Sequence, residues 1–74
     1  MPPFAVSSGV VVAFDDLAGH GLVRDDAGEE WFFHCTRIAD GTRTIAVGAA
    51  VTFEAVAGPT RGWEASGLRP APGA

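Results

Sequence analysis

Two histidines, two phenylalanines and a tryptophan occupy a pair of short apolar runs in the first half of the chain. The first run, residues 19–24, reads Gly-His-Gly-Leu-Val-Arg, and the second, residues 30–35, reads Glu-Trp-Phe-Phe-His-Cys. The flat rings of His and Phe stack on nucleic-acid bases, whereas imidazole together with the thiolate of Cys35 is the ligand chemistry that zinc prefers. Which chemistry is available depends on where these rings and the thiol point.

The two runs predict a β-hairpin. Asp26-Ala27-Gly28 is a three-residue connection with glycine where such hairpins need a left-handed backbone. If Asp25 pairs with Glu29, the register continues through Arg24–Glu30, Val23–Trp31, Leu22–Phe32, Gly21–Phe33 and His20–His34. Because side chains alternate between the two faces of a strand, the Val-Trp and Gly-Phe pairs share one face. The other face carries the charge pair, the Leu-Phe pair and the His-His pair, and we expect Trp31 and Phe33 to lie in the core.

The same alternation argues against zinc. Cys35 is expected to point away from the face that carries His20 and His34, and it is the single cysteine of the chain, so a four-ligand site is incomplete. No carboxylate lies at a predictable distance to orient a histidine base, and no glycine-rich phosphate loop is present. We therefore expect no metal, no cofactor and no enzymatic activity.

The rest of the chain favours an all-β fold. Ten glycines, five prolines and five phenylalanines suit tight turns and short strands. Apolar or alternating runs predict three further strands, at residues 6–14 with a bend at 7–9, at 50–57 and at 63–68. A loop with one helical turn near residues 36–38 precedes the fourth strand, and a turn at 58–62 precedes the fifth.

This order of elements predicts a small five-stranded antiparallel barrel of the oligonucleotide-binding (OB) type. The 74 residues leave room for a single domain, with a core from about 5 to 70 and a flexible tail at 71–74. With one cysteine no intramolecular disulfide is possible, so the fold depends on packing alone.

The charge balance is acidic. Nine acidic and five basic residues give a net charge of −4, which repels a polyanion at long range. All the basic residues are arginines, each able to hold a phosphate through two hydrogen bonds or to stack on a base, although a genome biased against lysine codons yields the same pattern. The apolar runs are too short to cross a bilayer and no signal peptide follows Met1, so we expect a cytoplasmic protein with no membrane partner.

A series of short motifs runs in order along the chain: Gly9-Val10-Val11 through Phe14, Gly19-x-Gly21, Phe32-x-His34, Gly48, Val51-x-Phe53 and Leu68-Arg69-Pro70. With this order and spacing the chain resembles the bacterial cold-shock domain, most of all a divergent actinobacterial-type branch, from about Gly9 to Pro70. The resemblance implies an OB barrel with an RNA-chaperone-like role, which binds single-stranded RNA or DNA by stacking bases on an aromatic face.

Several positions depart from the family pattern. Val12-Ala13-Phe14 replaces the usual Lys-Trp-Phe, and residues 18–22 read Ala-Gly-His-Gly-Leu instead of Lys-Gly-Phe-Gly-Phe. Residues 31–35 read Trp-Phe-Phe-His-Cys instead of Val-Phe-Val-His-Phe, and Thr42 replaces an aromatic residue. Because stacking contributes roughly 1 to 3 kcal/mol per base, the loss of about four platforms implies weak binding with little sequence preference.

The resemblance and the arginine chemistry together define the candidate nucleic-acid-binding residues. The candidate base contacts are Phe14, His20, Phe32 and His34, and the candidate phosphate or base partners are Arg24, Arg37, Arg43 and Arg61.

Three alternatives remain open. A protein-interaction or self-association module, with a protein partner or a homodimer, would use Leu22 and Phe32 as an apolar patch. A barrel without any partner is also compatible with the residues. Trp63 is either a displaced stacking platform or, as we favour, a packed residue that begins the closing strand.

Overall fold

Five β-strands and one short 3-10 helix make up the structure. The computed structural model describes residues 6–58 and 62–72. The strands are β1 (Val6–Asp15), β2 (His20–Asp25), β3 (Glu30–His34), β4 (Ala50–Ala57) and β5 (Trp63–Pro70), and the helix η1 spans Cys35–Arg37. The prediction of an all-β chain with one helical turn after the third strand is confirmed.

All the strands belong to one antiparallel sheet with the order β3-β2-β1-β4-β5. The long strand β1 lies at the centre: its first half pairs with β4 from Val6 to Val10, and its second half pairs with β2 from Gly9 to Asp15. The edge strands β3 and β5 lie against each other, and Ile38 after η1 forms a parallel bridge with Leu68. The sheet therefore curls into the predicted five-stranded OB-type barrel.

The predicted register of the central hairpin is confirmed at every pair. His20 lies opposite His34, Leu22 opposite Phe32, and the intervening pairs follow in the predicted order. The Asp25 amide donates to the carbonyl of Glu29 at 2.8 Å, and Gly28 adopts φ +89°. Glycine at this position lets the three-residue connection take the left-handed backbone that it needs.

The core consists of apolar side chains from the strands and from Ile38, the residue that follows η1. Those less than a tenth exposed are Val11, Val23, Phe33, Ile38, Val51, Phe53, Ala65 and Leu68. Phe33 lies in the core as predicted, and Trp31 packs against it while remaining half-buried. The Trp31 ring contacts Phe53 with centroids 5.7 Å apart, so the large rings of β3 and β4 pack against each other.

Two details of the strands differ from the sequence prediction. The predicted bend at residues 7–9 is absent, because β1 runs straight through them; the irregularity falls instead between Val11 and Ala13, where Val12 has no partner on β2. The closing strand extends beyond Leu68 to Pro70, which pairs with Val51, and the Ala71 amide donates to the carbonyl of Ala50 at 3.0 Å. A proline is tolerated there because it lies at the end of an edge strand.

The start of β5 also differs. Trp63 is 64% exposed, so the interpretation of this residue as a packed side chain is wrong. Its neighbour Glu64 is 1% exposed, and among the described residues no donor contacts its Oε1. The predicted turn at 58–62 includes residues 59–61, which lie outside the described residues, as do residues 73–74 of the predicted tail. Within residues 6–58 and 62–72, no helix is long and apolar enough to cross a membrane.

Candidate nucleic-acid interface

The outward face of the β2–β3 hairpin carries three side-chain pairs in a row. His20 pairs with His34, Leu22 with Phe32, and Arg24 with Glu30. The alternation of the strands directs these side chains away from the core, opposite Val23 and Phe33, which are fully buried. The face therefore changes from aromatic at one end to charged at the other.

The aromatic end is a cluster of three rings, His20, Phe32 and His34. Phe32 lies between the two imidazoles, with its centroid 5.2 Å from that of His20 and 4.9 Å from that of His34. The His34 ring stands edge-on to Phe32 at 88°, whereas the His20 ring is tilted by 39°. Such contacts fix the orientation of the rings before any ligand arrives, so little side-chain entropy remains to be lost on binding.

A recess opens beside this cluster. Its volume is about 320 Å³, and it is lined by Ala13, Phe14, Asp15, His20, Gly21, Leu22 and Phe32. That volume lies at the lower end of the roughly 300–1,000 Å³ typical of small-molecule pockets, which makes the recess suitable for one flat ring. The lining is mostly apolar, with Asp15 and His20 as its polar members.

The irregularity of β1 helps to explain the recess. Because Val12 has no partner on β2, both Ala13 and Phe14 follow a shifted register and face Leu22 and Gly21 of the neighbouring strand. Ala13 is exposed and contributes only a methyl group where the family pattern has tryptophan. The small side chain leaves open the space that a large ring would fill.

Gly21 holds the floor of the recess close to the core. Phe14 stacks almost parallel on Phe33, at 9° and a centroid distance of 5.9 Å. A Cβ atom at Gly21 would meet the Ala13 carbonyl oxygen, with Phe33 Cζ at 2.9 Å and Phe14 Cδ1 at 3.0 Å. Only glycine therefore permits this approach of β1 to β2.

Asp15 ends β1 at the rim of the recess and fixes the turn that follows. Its Oδ1 accepts hydrogen bonds from the amides of Leu17 and Ala18, both at 3.0 Å, and its carbonyl accepts one from Gly19 at 2.8 Å. In the described part of the chain, no donor contacts its Oδ2. One carboxylate oxygen thus holds the backbone, and the other is available to a ligand.

The arginines differ in whether they form ion pairs with carboxylates. Arg24 donates to Glu30 at 2.6 Å, and Arg69 lies 3.7 Å from Glu54. Arg37 and Arg43 are exposed, and neither forms an ion pair with any residue in the described segments. Arg43 has a positive φ of 62° in the loop before β4. Arg61 lies outside the described residues.

Cys35 directly follows His34 and does not share its outward face. It is the first residue of η1, packs against the core, and would contact a Cβ atom at Gly19 through its Sγ at 3.2 Å. Among residues 6–58 and 62–72, no group of three or more His, Cys, Asp and Glu side chains is arranged to hold a metal ion. The cysteine therefore contributes to packing.

The sequence identified the ring cluster and missed the recess. Phe14, His20 and Phe32 lie at the recess and His34 lies beside Phe32, so the four candidate base contacts are brought together. Ala13 was interpreted only as a lost stacking ring, and Asp15 was not among the candidate residues. The signal for both was the replacement of a large ring by alanine two residues before an aspartate.

Comparison with known proteins agrees with this fold. Residues 7–71 match the model of the 'Cold-shock' DNA-binding domain. The chain is also 38% identical over 69 residues to the cold shock-like protein CspA of Stigmatella aurantiaca (strain DW4/3-1), a match that covers 90% of this chain and 100% of that protein.

A small antiparallel OB-type barrel with rings on its outer face is the architecture of a nucleic-acid-binding module. The chain belongs to the cold-shock DNA-binding domain family, whose members bind nucleic acid and are not enzymes. The resemblance to the cold-shock domain, stated from the motifs, is thereby confirmed.

Proposed function

We propose that the protein binds single-stranded RNA or DNA through the outer face of the β2–β3 hairpin, weakly and with little overall sequence preference. The observation that carries this proposal is the cluster of His20, Phe32 and His34 at the edge of a recess large enough for a base. Two imidazoles and a phenyl ring, already held in position by one another, offer bases both stacking surface and hydrogen-bonding groups.

The charges support weak rather than tight binding. The net charge is −4, and two of the four described arginines, Arg24 and Arg69, lie against carboxylates. Arg37 and Arg43 are the described arginines best able to meet phosphates. Two phosphate contacts to a single strand give a slope of log K against log salt of about −1.4, or a roughly sevenfold loss of affinity between 50 and 200 mM salt.

The test is a fluorescence-anisotropy titration of a labelled mixed-sequence single strand with the intact protein. Phe32→Ala should weaken binding by about 5- to 150-fold, since alanine substitution removes roughly 1 to 3 kcal/mol of stacking per base. His34→Ala should weaken it in the same direction. Val47→Ala is the matched control, because Val47 is 61% exposed and does not line the recess.

The alternative is a protein-interaction or self-association surface formed by Leu22 and Phe32, which both line the recess. An apolar contact of this kind responds little to salt, whereas phosphate contacts weaken steeply. Sedimentation at increasing protein concentration detects self-association directly. Our proposal is supported if the protein is a monomer and binds the oligonucleotide in a saturable, salt-sensitive way. The alternative is supported if the protein dimerises with increasing concentration and does not bind the oligonucleotide.

A further inference from the structure

We propose that the recess takes one inserted base and that Asp15 selects guanine there. This inference rests on the proposed function, because it concerns one position of the bound strand. It adds a preference for a single base at a face whose other contacts are stacking contacts without sequence preference.

The first step is the shape of the site. The recess has a volume of about 320 Å³ and is bordered by Phe14 and Phe32. A tryptophan in place of Ala13 would present a flat platform, but alanine leaves a concave surface into which a base can enter by its edge. A base that enters in this way brings its hydrogen-bonding edge to the polar lining residues, Asp15 and His20.

The second step is the charge at the rim. Oδ1 of Asp15 is occupied by the amides of Leu17 and Ala18, so the carboxylate is held in one orientation. Oδ2 receives no hydrogen bond within the described segments and can only accept one, because an ionised carboxylate carries no proton to donate. The rim therefore favours a base edge that presents donors and disfavours one that presents carbonyl oxygens.

The third step is the chemistry of the bases. On its Watson–Crick edge, guanine places the N1–H and the N2 amino group side by side, so two neighbouring donors face one anionic oxygen. Thymine and uracil flank their single N3–H with two carbonyl oxygens, which the carboxylate repels. Adenine and cytosine place a ring-nitrogen acceptor beside their amino group. Guanine is thus the base that the fixed carboxylate favours most, and thymine or uracil the base that it favours least.

The experiment compares heptamers that are identical except at the central position. A labelled oligothymidine heptamer and its variants with a central guanine or a central hypoxanthine are titrated with the intact protein at one fixed salt concentration. We expect the guanine heptamer to bind roughly tenfold more tightly than the thymine heptamer, the size of effect that a specific base-edge contact gives. Hypoxanthine, which retains N1–H but lacks the amino group, should be intermediate.

Asp15→Asn tests the role of the carboxylate without removing the turn. The amide oxygen of asparagine can still accept from Leu17 and Ala18, but its NH2 group replaces the free acceptor with a donor. The ratio of guanine to thymine affinity should fall to one or below. Asp16→Asn is the matched control, because it removes the same charge from the adjacent position. Asp16 does not line the recess, and its Oδ1 accepts a hydrogen bond from Thr44 Oγ1 at 3.3 Å. The Asp16→Asn variant should keep the guanine preference.

Ala13→Trp tests the recess independently of Asp15. Filling the cavity should abolish the guanine preference while leaving oligothymidine binding equal or tighter. Binding of all heptamers with equal affinity by the unaltered protein would overturn the guanine inference alone. Retention of the preference by Asp15→Asn, with a normal circular-dichroism melt, would also overturn it. Failure of every heptamer to bind would overturn the proposed function together with this inference.

Discussion

The indole Nε1 of Trp31 donates a 2.9 Å hydrogen bond to Oδ2 of Asp25. The other oxygen of the same carboxylate accepts from the amides of Ala27 and Glu29, both at 2.9 Å. Trp31 also packs on Phe53, so a single side chain connects the core to the hairpin loop. Trp31 therefore fixes the loop of the β2–β3 hairpin to the core.

This connection predicts a specific dependence of stability on pH. The hydrogen bond from Trp31 and then those from the backbone amides lower the pKa of Asp25 below its ordinary value of 3.8, against an opposing effect of burial. Because the pKa is lower in the folded state, the stability that Asp25 contributes is complete above the unfolded-state value and is lost as the pH falls through the folded-state value.

Trp31→Phe removes the indole donor and so raises the pKa of Asp25. The variant should be less stable at neutral pH, but it should lose less further stability on acidification to about pH 3 than the unaltered protein does. Urea unfolding at the two pH values measures this difference. Asp25→Asn should show a similarly reduced loss, and an acid-induced loss in Trp31→Phe equal to that of the unaltered protein would contradict the prediction.

Gly21→Ala should destabilise the barrel strongly. The added methyl group would collide with the Ala13 carbonyl and with the rings of Phe14 and Phe33, and overpacking of this kind costs about 1 to 3 kcal/mol or more. Gly28→Ala is the matched control: it meets no atom within 4 Å and has only its positive φ of 89° to oppose it. Thermal melts should give a lower midpoint for Gly21→Ala than for Gly28→Ala. The reverse order would contradict the claim that only glycine fits where β1 and β2 approach each other at Gly21.

Phe53→Ala should remove the cooperative unfolding transition at room temperature or above. Phe53 is 1% exposed, and truncation of a buried phenylalanine costs about 3 to 5 kcal/mol, which is most of the stability of a domain this small without a disulfide. Near- and far-ultraviolet circular dichroism during a thermal melt measures the effect. A transition within a few degrees of that of the unaltered protein would show that the core tolerates the cavity.

Arg43→Gln should reduce the salt dependence of oligonucleotide binding. One phosphate contact fewer changes the slope of log K against log salt by about 0.7 for a single strand. Arg69→Gln is the control, because Arg69 lies against Glu54 on the closing strands and does not line the recess. Anisotropy titrations at four or more salt concentrations give both slopes. Equal slopes for Arg43→Gln and the unaltered protein would remove Arg43 from the interface.

The sequence predicted the hairpin to the residue because its determinants are local. A glycine in the loop fixes the connection, and period-two alternation fixes which face each side chain takes. The boundaries of β4 were correct for the same reason: Val51 and Phe53 alternate with polar residues between two glycine-containing turns.

The features that escaped prediction depend on contacts between distant parts of the chain. The irregularity at Val12 lies just beyond Gly9 and Val10, where β1 pairs with both β2 and β4, and nothing in its valine run indicates it. The extension of β5 to Pro70 depends on pairing with Val51. Trp63 was interpreted as a packed residue because it begins the closing strand, yet at that position it is 64% exposed. The recess could not be predicted without knowing that Ala13, Asp15 and Phe32 lie together in the folded chain.

Phe14 belongs to the recess and to the core at once, since it lines the cavity and stacks on Phe33. Selection for folding alone is therefore enough to preserve Phe14 in descendants of this protein, even in a lineage that no longer binds a ligand. His20 and Leu22 lie outside the core cluster and would vary more than Phe14 once binding ceased. Variation at His20 and Leu22 among descendants therefore indicates whether this face still binds a ligand, whereas the persistence of Phe14 does not.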